Sequence, residues 1–207
     1  MRYLFSAILG LIVGSFLNAY IWRLKNNQSV WRGRSACTAC GICLKPLELI
    51  PVLSFFIQKG RCKTCLEKIS WQYPLVEAAT AFLFVFVTVQ DIGSVDIGMI
   101  DLRMSVIWLR DIFLAYTLLA IFVFDVRYYL IPDQFSLPAI PVIFLMNWWL
   151  GYPWWSLFLA VWVGAVFFGL QYLVSKGRWV GGGDIRLGAL MGAALGWPKI
   201  LYALGLA

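Results

Sequence analysis

The sequence predicts an all-α polytopic membrane protein with about six transmembrane helices. Of its 207 residues, 62% are hydrophobic and only 13% are charged, whereas a soluble domain usually has about 25% charged residues. The hydrophobic residues also form long runs of very low charge, near the roughly 20 residues that a transmembrane helix requires. Basic residues collect in one segment after the first run, as in a membrane protein with a fixed orientation.

The first run, residues 3–22, contains no charged residue and predicts a transmembrane helix over 1–22. It is longer than the apolar core of a cleavable signal peptide. No small-residue cleavage site precedes the basic stretch that follows it. We therefore expect this helix to be retained.

Two further runs follow in the first half of the chain. Residues 73–90 contain a single charged residue, Glu77, and residues 106–124 contain the pair Arg110 and Asp111 near their start. An ionic pair near the start of a run is typical of the membrane interface. Each run is long enough to predict one helix.

The remaining runs predict three more helices. Residues 134–175 contain no charge and are too long for one span. Gly-Tyr-Pro at 151–153 divides them, and the tryptophans around this break are typical of an interfacial aromatic belt. The last run starts near Ile185 and is interrupted by Pro198 and Lys199. The flanking tryptophans are Trp148, Trp149, Trp154 and Trp155.

Charge predicts the orientation. Residues 23–71 contain nine Lys and Arg against two Glu, a net charge of +7, whereas the segment between the second and third runs has a net charge of −2. By the positive-inside rule the first segment is cytoplasmic and the second external, so 125–133 and 175–184 are also cytoplasmic and 151–155 is external. A basic loop can also indicate nucleic-acid binding. Here the orientation in the membrane already explains the positive charge, so we expect no nucleic-acid partner. The basic residues are Arg23, Lys25, Arg32, Arg34, Lys45, Lys59, Arg61, Lys63 and Lys68, and the second segment contains Asp91, Asp96, Asp101 and Arg103.

All five cysteines lie in the basic segment. Cys37 and Cys40 form one C-x-x-C pair and Cys62 and Cys65 form another, with 21 residues between the pairs. This is close to the spacing of a four-thiolate zinc site. Cys43 also forms a C-x-x-C pair with Cys40, but we favour the first register and leave Cys43 without a role.

Two other interpretations of the cysteines compete with zinc. Disulfides are disfavoured in a cytoplasmic loop, and a redox pair normally lies at a helix start in a thioredoxin-like unit, which this segment does not resemble. Four protein ligands leave no open position, so the zinc would be structural. We therefore predict a small cytoplasmic zinc-binding loop domain, residues 23–71, between the first two helices.

Three carboxylates lie within or beside the spans, where ionisable groups are functional candidates: Glu77, Asp125 and Asp184. The two aspartates are on the same predicted side of the membrane. If their helices bring them together they can share a proton, activate water and protonate a leaving amine, as in an aspartic protease. The flanking Gly181 and Gly183 would let a peptide substrate approach Asp184, or let the loop move.

Structural roles explain the same residues without catalysis. Asp184 precedes an apolar helix and is well placed to cap it, and Asp133 is similarly placed before the fourth span. Arg127 is close enough in sequence to pair with Asp125. Paired carboxylates can also form an ion or proton pathway. The chemistry alone leaves these alternatives open.

Several segments together resemble the type IV prepilin peptidases, a family of bacterial inner-membrane aspartic proteases with a G-x-G-D motif. The resemblance rests on GSFLNAYIWRL at 14–24, on SACTACG, LIPVLSFFIQKGRCKTC and ISWQYPLVE within 35–77, on DVRYYLIPD at 125–133, and on GGGDIRL at 181–187. Each motif is weak alone, but their order and spacing are specific. The match runs nearly from end to end.

The resemblance implies a multi-pass inner-membrane enzyme that removes the leader of type IV prepilins and of type II secretion pseudopilins at the cytoplasmic face. It implies Asp125 and Asp184 as the catalytic residues, and the four paired cysteines as zinc ligands. Family members with the cysteine loop commonly also methylate the new amino terminus with S-adenosylmethionine. For Glu77, a role in a second site and a simple interfacial position both remain open.

The sequence departs from the family pattern in its length. Family members usually continue for one or two more spans, so the predicted peptidase core, 72–207, is either truncated at its C-terminus or a shorter variant. Two rival functions remain as well. A transporter or proton pathway would use paired carboxylates but leaves the cysteines unexplained. A non-enzymatic zinc scaffold of a secretion or pilus complex explains the cysteines but neither aspartate.

Overall fold

The structure is a computed structural model that describes residues 1–30, 33–93 and 101–206. Arg32 and Asp96, which contribute to the loop charges above, lie outside the described residues. The regular elements are the helices α1 (Arg2–Lys25), α2 (Leu53–Ile57), α3 (Gln72–Ile92), α4 (Leu102–Tyr128), α5 (Asp133–Trp149), α6 (Trp154–Ser175), α7 (Gly182–Leu195) and α8 (Lys199–Leu206), with a 3₁₀ turn, η1, at Pro46–Leu49.

The all-helical membrane architecture is confirmed. Within the described ranges four helices, α1, α3, α4 and α6, are long and apolar enough to cross a membrane. The division at 151–153 is also confirmed, because α5 ends at Trp149 and α6 begins at Trp154. The count of six is not reached by this criterion, since α5 has 17 residues and α7 has 14. The last run is two helices rather than one span.

The chain forms two compact units, Met1–Ser94 and Val95–Ala207. In unit 1, α1 packs along α3 at close range. A Cβ atom on Gly10 would lie 2.6 Å from the Cα of Ala81, and one on Gly14 would lie 2.8 Å from the Cα of Glu77. Small residues at these positions let the two backbones approach, as is common between membrane helices.

In unit 2, α7 packs against both α6 and α5, and α4 packs against α5. The contact between α6 and α7 depends on small residues, because a Cβ on Gly188 would overlap the backbone of Gly164 and one on Gly192 would overlap that of Ala160. This close packing fixes α7, the helix that carries Asp184, within the unit.

Asn147 of α5 stabilises the end of α7. A 14-residue helix is only about 21 Å long, and its last carbonyl groups need hydrogen-bond donors if they are buried. The fully buried Asn147 side chain donates to the carbonyl oxygens of Ala193 and Ala194, at 2.7 and 3.2 Å. Its own oxygen accepts a 2.9 Å bond from Arg110, which is paired with Asp111. The short helix can therefore end without exposing unsatisfied backbone.

Candidate active site and metal centre

Asp125 lies on the last turn of α4 and its side chain is exposed. The helix ends three residues later, at Tyr128. The cap residue Tyr129 adopts a left-handed conformation (φ 53°), and its N–H donates to the Asp125 carbonyl oxygen at 2.7 Å. The chain then turns through Ile131 and Pro132 into α5. Asp125 is therefore presented where one helix stops and the chain reverses.

Asp184 lies in the first turn of α7 and is half-buried. Its Oδ2 accepts a 2.7 Å hydrogen bond from the backbone N–H of Gly181, the residue that caps the helix. The capping role considered from the sequence is thus present. It orients the carboxyl group at the positive end of the α7 dipole.

Two contacts join the segments that carry the aspartates. A Cβ on Gly183 would lie 2.6 Å from the Cβ of Ile131, so this glycine is packed directly against the chain after α4. Beyond it, Arg186 of α7 forms an ion pair with Asp133 of α5. The structure therefore brings segments 125–133 and 181–187 together.

The partners of Asp133 and Arg127 differ from those that the sequence suggested. Asp133 does not cap α5, because Pro132 is the cap residue and Asp133 lies in the first turn, with its carboxylate bonded to Arg186. Among the described residues, Arg127 and Asp125 are not an ion pair. Arg186 was not identified from the sequence as a site residue. Two signals were present in the sequence: Arg186 lies two residues after Asp184, and an acidic residue, Asp133, lies in the segment 125–133.

The three glycines before Asp184 have different surroundings. None has a positive φ, so a left-handed backbone is not the reason for them. A Cβ on Gly182 would meet nothing within 4 Å, and one on Gly181 would make only ordinary contacts. Gly183 alone is required by packing, and the other two leave the backbone beside Asp184 uncovered.

The four paired cysteines form a cluster suited to a metal ion. The Sγ atoms of Cys37, Cys40, Cys62 and Cys65 all lie within 4.8 Å of one another, and those of Cys37 and Cys65 are 3.8 Å apart. A tetrahedral zinc site with Zn–S bonds of about 2.3 Å requires sulfur atoms about 3.8 Å apart. The donor set and its spacing therefore fit zinc.

The two cysteine turns share one hydrogen-bond pattern. The N–H of Cys37 donates to the carbonyl oxygen of Ile42, and the N–H of Cys62 donates to that of Glu67, both at 2.9 Å. Gly41, directly after the first pair, has a φ of 72°, as the glycine of a tight turn should. The turns thus present their thiols in the same way.

A β-bridge at the base of each turn explains the position of Cys43. Ala36 pairs with Cys43 in the first turn, and Arg61 pairs with Lys68 in the second. Cys43 therefore stands where the second turn has a lysine. Its backbone closes the turn, and its exposed thiol is not part of the cluster.

The backbone of the second turn tunes the thiols. The N–H groups of Cys65 and Thr64 lower the pKa of the Cys62 thiol to about 7, which favours the thiolate that binds metals. The N–H of Glu67 lowers the pKa of the Cys65 thiol, but burial and the neighbouring thiols outweigh it and raise that pKa to about 12. A bound cation reverses this rise, because a coordinating thiol is deprotonated.

Glu77 links the cysteine loop to the helices of unit 1. Its side chain is only 6% exposed and accepts hydrogen bonds from the N–H of Val52, at 2.7 Å, and from the side chain of Ser15. Val52 has φ 61° and ψ −53°, and the N–H of Leu53 donates to the Pro51 carbonyl oxygen at 2.6 Å. This is a γ-turn of the rare, strained kind, stabilised by a buried carboxyl group.

Comparison with known proteins covers both units. Residues 8–90 match a family model described as the bacterial peptidase A24 N-terminal domain, and residues 112–207 match one described as the type IV leader peptidase family. No solved structure matches the chain.

Curated relatives are similar along most of the chain. A prepilin leader peptidase/N-methyltransferase of Bacillus subtilis is 35% identical over 203 residues, covering 95% of this chain and 74% of the relative. Proteins of the same name from Pseudomonas putida and Pseudomonas aeruginosa are 30% and 31% identical, covering 94% and 93% of this chain and 73% and 72% of their own lengths.

Proposed function

The chain belongs to the type IV leader peptidase family, and we propose that it removes the leader of type IV prepilins and N-methylates the new amino terminus, with Asp125 and Asp184 as the catalytic residues. The family match itself covers residues 112–207, which include both aspartates. The observation that carries the proposal is the contact between their two segments through Gly183 and Ile131. It joins the end of one helix to the start of another, each with a carboxyl group.

The two aspartates lie at helix ends of opposite polarity. Asp125 lies at the C-terminal, negative end of α4, and Asp184 lies at the N-terminal, positive end of α7. When two carboxyl groups share one proton, the ionised group takes a proton from the attacking water, and the protonated group gives its proton to the departing amine.

The open backbone at Gly181 and Gly182 suits a peptide substrate. Neither glycine has close neighbours at its Cβ position, so an extended chain can approach Asp184 from that side. The ion pair between Arg186 and Asp133 restrains the first turn of α7 against α5. We assign it to holding Asp184 in place rather than to the chemistry.

The proposed function also involves a metal ion, a methyl donor and a defined orientation in the membrane. Cys37, Cys40, Cys62 and Cys65 would hold one structural zinc ion, since four thiolates complete its coordination. S-adenosylmethionine supplies the methyl group for N-methylation. The protein is a multi-pass inner-membrane protein, and the basic segment 23–71 supports an active site that faces the cytoplasm.

The test is a set of conservative substitutions assayed on a purified prepilin. Asp125→Asn, Asp184→Asn and the double variant should each lose leader cleavage by at least about 10³-fold, and the double variant should lose little more than either single one, because the two groups act as a unit. Leader loss is measured by the mass of the product.

Asp133→Asn is the matched control. An asparagine can still accept a hydrogen bond from Arg186, so this variant should keep most of the activity. Zinc content and thermal stability should be near normal in all four variants. Substantial cleavage by either single catalytic variant would rule out the aspartic mechanism and leave Asp184 as a helix cap.

A further inference from the structure

The short helix α2 has an apolar face that is exposed on the cysteine loop. Leu53, Phe56 and Ile57 have the spacing i, i+3 and i+4, so they lie on one face of the helix, and each is more than half exposed. Phe55 lies on the opposite side and is buried. Single exposed apolar residues are common, but a cluster of large ones marks an interaction surface.

Trp71 extends this face toward the membrane helices. Its side chain is also more than half exposed, and the centroid of its ring lies 6.3 Å from that of Phe56 and 4.8 Å from that of the buried Phe55. Trp71 is the residue directly before α3. Leu53, Phe56, Ile57 and Trp71 therefore form one surface, which we call the α2 patch.

The α2 patch continues into an exposed apolar stripe of α3. Leu75 follows Trp71 by one helical turn, and Phe82 and Phe86 lie further along the same face; all three are exposed. Because α3 is long and apolar enough to cross a membrane, this stripe is suited to contact with lipid. A tryptophan at the end of such a helix is typical of the membrane–water interface. The α2 patch thus begins at the level of the lipid headgroups.

Basic side chains lie next to the α2 patch. Arg61 and Lys68 are exposed and stand opposite each other in a β-bridge, an arrangement of like charges that is destabilising. Among the residues that the structure describes, neither has an ion-pair partner. The N–H of Gly60 donates to the carbonyl oxygen of Phe55 at 2.9 Å and holds this basic pair beside α2. An anionic group bound between the two cations would remove their repulsion.

We propose that the α2 patch is inserted into the cytoplasmic leaflet of the membrane, with Arg61 and Lys68 bound to lipid phosphate groups. The choice of leaflet rests on the proposed orientation. Lipid is the partner because the patch is continuous with a stripe of a membrane helix and is bordered by cations that complement phosphate. The inference goes beyond the proposed function, since neither leader cleavage nor methylation assigns a role to α2.

The connections of the loop make this insertion favourable. Helices that lie on a membrane bury their apolar face about 5–10 Å below the headgroups, and a free helix of five residues would bind weakly. Here α1 and α3 tie both ends of the loop to the membrane and pack along each other. Insertion is therefore intramolecular, with a high effective concentration of lipid. The cysteine loop becomes a domain held on the membrane surface.

A fluorescent probe in the α2 patch tests the insertion. The purified full-length protein, loaded with zinc, carries an environment-sensitive fluorescent amino acid at position 57 and is placed in nanodiscs of phosphatidylcholine and phosphatidylglycerol. Emission should be shifted to the blue and quenched at least twofold when the acyl chains carry bromine. The same probe at Thr38, an exposed position of the first cysteine turn, should emit as in water. Leader cleavage and one zinc per chain verify that both proteins are folded.

Two outcomes would overturn the proposal. Emission as in water from position 57 would show that nothing covers the α2 patch. A blue shift without quenching by bromine would show that protein covers it, either a partner or a second copy of the chain. Only quenching by the acyl chains supports insertion into lipid.

The basic pair gives a second readout, the hydrogen exchange of the Ile69 N–H, which donates to the Gly60 carbonyl oxygen at 2.8 Å beside the bridge. In a sugar detergent without phosphate, Arg61→Gln relieves the repulsion and should slow this exchange. In phospholipid nanodiscs the same change removes a phosphate contact and should speed it several-fold. Lys45→Gln removes an exposed charge outside the bridge and should change neither rate. An effect of Arg61→Gln with the same sign in both media would contradict the phosphate contact.

Discussion

Cys43 has the same sequence spacing from Cys40 as Cys37 has, yet its position in the structure is different. Its backbone pairs with Ala36 to close the first cysteine turn, as Lys68 pairs with Arg61 in the second. A residue at this position can be replaced without changing the thiol cluster. The choice between two C-x-x-C registers therefore depends on which residues close the turn.

The two registers predict different metal contents. Cys37→Ser and Cys62→Ser each remove a thiolate from the cluster and should lose the zinc ion, whereas Cys43→Ser should retain one zinc per chain. Metal analysis of the purified variants measures this directly. A protein that loses zinc on Cys43→Ser and keeps it on Cys37→Ser would require the register shifted by three residues.

At the scale of elements, the junction of α7 with the chain after α4 positions the aspartates. Gly183 lies at this junction, and a side chain there would displace Ile131. Overpacking of this kind typically costs about 1–3 kcal/mol. The neighbouring Gly182 is in open space, so an alanine there costs nothing in packing and restricts the unfolded chain.

Gly183→Ala should therefore lower both the thermal stability and the rate of leader cleavage, because α7 must shift to accept the new methyl group. Gly182→Ala is the matched control and should be neutral, or more stable by up to about 1 kcal/mol, with activity near that of the wild type. The comparison uses melting temperature and cleavage rate in the same detergent. Equal effects of the two alanines would contradict the packing explanation.

At the scale of the whole molecule, the two proposed reactions make different chemical demands. The aspartates belong to unit 2, and the thiol cluster belongs to unit 1. Methyl transfer depends on orientation of an amine and a methyl group rather than on paired acids. The two steps should therefore be separable by mutation.

Asp184→Asn should abolish leader cleavage and still methylate a synthetic pilin that already has its mature amino terminus. Incorporation of labelled methyl groups into that substrate measures the second activity alone. Loss of both activities in a variant with normal zinc content would show that the two reactions share a site.

The orientation of the whole chain predicts where the thiols react. In cells stripped of metal, a membrane-permeant reagent should label the cysteines between 37 and 65, and an impermeant reagent applied outside intact cells should not. The reason is the net charge of +7 on residues 23–71, which favours the cytoplasmic side. Labelling from outside would reverse the assigned orientation, including the side on which Asp125 and Asp184 act.

The sequence by itself determined the class of the fold and the chemistry available to it. Long charge-free runs predicted the membrane helices, because burial in lipid selects composition along a continuous segment. The break at 151–153 and the C-x-x-C pairs were also visible, since a turn and a pair of ligands are local patterns. These features require no knowledge of which segments meet.

Only the tertiary structure decided which distant residues meet. The contact of Gly183 with Ile131, the ion pair of Arg186 with Asp133, and the bond from Val52 to Glu77 each join positions separated by 25 residues or more. The short length of α7 also depends on a distant residue, because Asn147 of another helix donates hydrogen bonds to its last carbonyl groups. The sequence of α7 alone therefore does not indicate where the helix ends. Hydrophobic periodicity sets what each helix buries, but the partner it packs against depends on side-chain shape and hydrogen bonding across the whole unit.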